Sequence, residues 1–230
     1  MAAMTANRFS LGLAVALVAL ASSSVLGEER VFSGPQAGEK VTPFKVVGVR
    51  GPTAGKEQEV QGPAAGAGPA VLVFVHGIER SIVPLVTVVD EYAHQKRDVL
   101  RTTFVFLSAD RVAMEKRLPL VGQSLRMQSP MTLSLDGAEG PGNYGLNKDC
   151  LVTIVVAKEN KVTANFALVQ PGIADAPAVL KAMADACGDP KPPTAEALRE
   201  KRTGGEGMRP TTRPARGGEG ARRPQSRPTG

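Results

Sequence analysis

Residues 70–92 read Ala70-Val71-Leu72-Val73-Phe74-Val75-His76-Gly77-Ile78-Glu79-Arg80-Ser81-Ile82-Val83-Pro84-Leu85-Val86-Thr87-Val88-Val89-Asp90-Glu91-Tyr92. The opening six residues are apolar, mostly β-branched or aromatic, and such a short run between turn signals makes a buried strand. A glycine turn follows, and then Ile82, Leu85, Val86, Val89 and Tyr92 recur at helical spacing. The stretch predicts a strand over 70–75 feeding a helix over roughly 80–96. Pro84 falls in the first turns of that helix, where proline is tolerated or only kinks it. The junction at 76–81 is the place where folds of this kind put their chemistry.

Working outward, the segment Val41–Val49 alternates and predicts a strand, with Pro43 at its start or on a sheet edge. A turn at 51–55 and a weak strand at 56–60 complete a hairpin, and the Gly/Pro/Ala stretch at 62–69 is a loop. Leu100–Ser108 predicts another strand. Asp110 is a good N-cap for a helix running to Leu125, which Pro119 could divide into two pieces. Short strands at 130–136 and 151–157, a turn at 158–161, a return strand at 162–169 and a helix at 173–187 follow.

The ends have a different character. Arg8, the apolar run Leu11–Leu20 and the small residues before Glu28 form the pattern of an export signal, cleaved near Gly27. The run is shorter than the roughly 20 residues of a membrane span. The expected organisation is a signal peptide at 1–27, a linker at 28–36, one domain at 37–188 and a disordered tail at 189–230. The expected location is periplasmic or extracellular. The tail is rich in Pro, Gly and Arg, with Arg-Pro pairs from Arg209 to Arg227, and it lacks apolar periodicity beyond a short helix at 194–201. It carries ten Lys and Arg against five acids, so it holds nearly all of the formal net charge of +6. Cys150 and Cys187 are the only cysteines. In an exported chain they could form one bridge, or be buried small hydrophobes.

The elements from 37 to 187 resemble the thioredoxin fold, within it the exported thioredoxin-like and peroxiredoxin-like branch. The resemblance rests on Ala37–Phe44, on Val71–Phe74, on Leu133–Asp136 followed by Tyr144-Gly145-Leu146, and on Thr153–Val162. It implies an α/β fold with a central mixed β-sheet flanked by helices. In active members of the family, one or two cysteines sit at the strand-to-helix junction, where the helix N-terminus lowers a thiol's pKa. Here residues 71–99 contain no cysteine, and Val152 stands where the family places the proline that shapes the dithiol pocket.

The candidate pocket is therefore His76, Gly77, Glu79, Arg80, Ser81 and Val152, with Cys150 as the one candidate catalytic thiol. One cysteine cannot cycle as a dithiol by itself. A metal set of His76, Glu79 and His94 is weakened by the distance of His94 down the helix, so no metal is expected. His76-Gly77 also suits the oxyanion loop of an α/β-hydrolase. Gly122-Gln123-Ser124-Leu125-Arg126 lacks the second glycine of a nucleophile elbow, however, and both histidines precede Ser124.

The expected function is a redox-inactive binding or structural module without a cofactor. The alternative is a thiol-disulfide or peroxide oxidoreductase using Cys150 with an external reductant. A protein or envelope partner is expected. Arg209, Arg213, Arg216, Arg222, Arg223 and Arg227 are candidates for holding an anionic polymer. With one Arg-Gly-Gly and no interleaved aromatics, specific nucleic-acid binding is not expected.

Overall fold

The computed structural model describes residues 31–60 and 68–204. The export signal, the start of the linker and all six tail arginines lie outside the described residues. Eleven strands and helices succeed one another: β1 (Phe44–Gly48), β2 (Glu57–Val60), β3 (Ala70–Val75), α1 (Val83–Gln95), β4 (Arg101–Phe106), α2 (Arg111–Ser124), β5 (Met131–Ser134), β6 (Val152–Lys158), β7 (Lys161–Leu168), α3 (Ala176–Cys187) and α4 (Ala195–Gly204). They build one seven-stranded sheet in the order β2-β1-β5-β4-β3-β6-β7.

β3, β4 and β5 run parallel, with Val73 opposite Phe104 and Phe106 opposite Leu133. The remaining pairs are antiparallel. The steps from β3 to β4 and from β4 to β5 go the same way across the sheet. Right-handed crossovers then put α1 and α2 on one face. Strand alternation explains the two cores. Val71, Val73 and Val75 meet Leu85, Val89 and Tyr92 of α1, Leu118 of α2 and Val179 and Met183 of α3. Leu72 and Phe74 point the other way, to Phe44 and Tyr144. The Phe74 ring lies 5.8 Å from that of Phe44 and 5.2 Å from that of Tyr144. Segments 33–44 and 137–150 cover this second face without an α-helix, so the α-helical layer lies on one side.

Pro43 immediately precedes β1, and β2 forms the edge instead. α2 is one helix with Pro119 inside it. The Asp110 carboxylate accepts the Ala113 N–H at 2.9 Å, and burial of Leu118 with Met114 and Leu125 holds the helix across the proline.

Both expected domain boundaries move outward. Ser33 is buried, and its hydroxyl lies 2.6 Å from that of Thr153. The Asn165 amide donates to the Ser33 and Pro35 carbonyls. Gly34 holds a φ of 75°, which lets the chain bend there. At the other end, Asp189 accepts from Tyr92 Oη at 2.9 Å and pairs with Lys96 Nζ at 2.7 Å. α4 then buries Ala195 and Leu198 against the helical core. Residues 31–36 and 189–204 thus belong to the domain, because each supplies polar anchors that close over apolar surface.

Candidate functional site

β3 ends at Val75, and the seven residues His76–Ile82 connect it to α1. Ile82 is buried, and the helix begins with Pro84 in its first two positions. No side chain caps this helix start, and no acid occupies its first turn. Glu79, Arg80 and Ser81 are exposed at the turn between them.

The junction has two sides. On one, the His76 N–H donates to the Leu151 carbonyl at 3.0 Å, tying the loop to the segment that enters β6. Gly77 fits beneath Leu151, since a Cβ there would come within 3.1 Å of Leu151 Cδ2. Val152 is fully buried in the sheet. Cys150 is likewise buried, and it is a free thiol. Burial pushes that thiol above its ordinary range, the nearby Ser33 hydroxyl opposes the rise, and Asp149 adds to it. A raised pKa and no solvent access are the reverse of what activates a cysteine nucleophile.

The His76 imidazole lies beside this closed seam. Burial holds it below the ordinary histidine value; the Cys150 carbonyl and Glu139 act in the opposite sense. The carbonyl lies near the ring, but neither ring nitrogen completes a hydrogen bond among the described residues. The neutral imidazole is therefore a packing group with unspent polar capacity.

On the other side, the loop stands across from α2 and leaves a groove of about 410 Å³. Ile78, Val83, Leu120, Val121 and Leu125 make its apolar lining, and Glu79, Arg80, Arg117 and Ser124 its polar rim. Leu120 is 67% exposed. Directly beneath, between α1, α2 and the sheet, is a packing gap of about 10 Å³ that shares Ile78, Val83, Val121 and Leu125 with the groove.

The expected pocket is thus divided. Glu79 and Arg80 face the groove, whereas His76, Gly77, Cys150 and Val152 lie in the packed seam. Ser81 is exposed but does not line the groove. Ser124, weighed as a hydrolase nucleophile, is a rim residue of α2. Arg117 and Leu120 escape sequence reasoning. Their one signal is the apolar run Leu118-Pro119-Leu120-Val121 directly after the charged Glu115-Lys116-Arg117. His94 sits in the last turn of α1, 3.2 Å from an Arg97 nitrogen, remote in sequence from the junction. Among the described residues no three His, Cys, Asp or Glu side chains are grouped as metal ligands. Cys187 is the other free thiol; it lies 3.7 Å from Tyr92 Oη at the far end of α3.

This architecture defines a thioredoxin-like fold, with a central mixed sheet and its helices following the parallel strands. Three solved structures are similar over nearly their whole length. A candidate protein disulfide isomerase from Bacteroides thetaiotaomicron matches with a TM-score of 0.53 and 12% identity, over 69% of this chain and 95% of that one. A candidate thiol:disulfide interchange protein DsbE from Chlorobium tepidum gives 0.51 and 17%, over 66% and 99%. A DsbF homologue from Corynebacterium diphtheriae gives 0.51 and 12%, over 70% and 96%. No family model and no curated protein matches the sequence.

Proposed function

We propose that the protein is an exported thioredoxin-like module without redox activity that works by binding. The observation that carries this reading is the junction itself. It has no cysteine, and Cys150, the one thiol near it, is fully buried. The names of the similar structures speak for thiol exchange in those proteins. The same chemistry here would need Cys150 to reach solvent and an external reductant to complete its cycle. Burial of that thiol weighs against it.

A peroxide-consumption assay with excess dithiothreitol tests this reading. The expected rate equals that of the reductant alone. Protein-dependent consumption that disappears in Cys150→Ser would establish the oxidoreductase instead. Export rests on Arg8, Leu11–Leu20 and the small residues before Glu28. N-terminal sequencing of protein recovered outside the cytoplasm is expected to begin at Glu28; a chain retaining Leu11–Leu20 contradicts it. The arginine-rich segment after 204 we read as an attachment to anionic envelope polymer, which follows from its charge.

A further inference from the structure

We propose that the groove between the junction loop and α2 binds a small amphipathic carboxylate, an acyl chain on the apolar lining with its carboxylate held by Arg80 and Arg117. This deepens the binding-module reading, on which it rests for taking the junction as a ligand site.

The groove lies beside the loop that leaves the carboxyl end of β3, where open α/β sheets receive ligands. Its volume of about 410 Å³ is that of a small-molecule site. Two features say what chemistry fits. The lining is continuous apolar surface that keeps Leu120 in water, a cost that an apolar ligand removes. Neither Arg80 nor Arg117 has a side-chain hydrogen bond or ion pair among the described residues. Against them stands one carboxylate, Glu79, so the rim carries a net single positive charge and suits a monoanion. An extended peptide is less suited. The outermost strands are β2 and β7, the latter already hydrogen-bonded at Val162 by Gly38 and Glu39, whereas this groove is walled by a helix and a loop.

The test uses the full chain and a fluorescent acyl carboxylate, 11-(dansylamino)undecanoate, at submicellar concentration. The expected result is a saturable, blue-shifted emission that decanoate displaces well and butyrate and decanol displace poorly. Leu120→Asp should abolish binding. Arg117→Gln should weaken decanoate about tenfold, the loss of one charge-assisted hydrogen bond, and leave decanol unchanged. Both side chains are exposed, so neither variant should unfold the domain, and circular dichroism checks this. No saturable signal, or a signal indifferent to both variants, overturns the proposal. So does a dimer in sedimentation that Leu120→Asp dissociates, since the groove is then a contact between copies. Thiol turnover in the peroxide assay would overturn the redox-inactive reading and leave a positive binding result standing; failed binding would leave the outcome of the peroxide assay untouched.

Discussion

At the scale of single residues, the account turns on what surrounds Cys150 and His76. Cys150 is sealed and its thiol raised by burial, so its reactivity in the native state should be set by unfolding rather than by attack. Ellman's reagent should leave Cys150 unmodified in Cys187→Ser protein at pH 8 and titrate it fully in guanidinium; prompt native reaction contradicts the burial. His76 supplies a pH signature. Its folded-state pKa lies below the ordinary 6.5, so the unfolded chain binds the proton more readily. The stabilising contribution of the neutral ring is therefore present above about pH 6.5 and is lost as pH falls through the lower folded value. Urea midpoints at pH 7.5 and 5.5 should differ more for wild type than for His76→Gln; equal differences refute the role of burial.

At the scale of elements, the most consequential piece is α4. Arg202 reaches Asp90, fully buried on α1, at 3.0 Å, and donates to the carbonyls of Thr87, Leu125 and Arg126. The Asp90 carboxylate also accepts the N–H groups of Gln128 and Ser129. One guanidinium thus joins α1, α4 and the end of α2. Breaking such a buried pair costs about 3 kcal/mol or more. Arg202→Met should lower the unfolding free energy by that order in urea titration. Truncation after Gly188, which also removes Leu198, should cost more, and truncation after Gly204 almost nothing. Comparable loss from both truncations would place stability beyond 204.

The sequence is unequally legible across these elements. β3 and α1 stand out because a six-residue apolar run switches to a helical period at one glycine, and β6–β7 because Asn160 and Glu159 accept positive φ between two apolar runs. α4 is legible as the short helix at 194–201, but its docking on the domain is not, because one turn of apolar contact, Ala195 and Leu198, sits within Pro- and charge-rich sequence. Ser33 is invisible for a similar reason, since its partner Thr153 is 120 residues away. The groove depends on which residues of α2 oppose the junction loop, a tertiary register that no local pattern encodes.

At the scale of the whole molecule, a thioredoxin-like sheet carries a strand-to-helix junction without cysteine, and the proposed function rests on that combination. The folded part is nearly neutral and the segment after it basic, so surface attachment and fold stability should separate. Deleting 205–230 should remove binding to anionic vesicles at low salt and leave the urea midpoint unchanged; undiminished binding would put the contact on the domain. The central claim concerns the missing thiol pair, and dithiothreitol-driven insulin reduction addresses it most directly. With the purified full chain, the onset of insulin turbidity should coincide with that of dithiothreitol alone at every protein concentration. A concentration-dependent acceleration would contradict the claim.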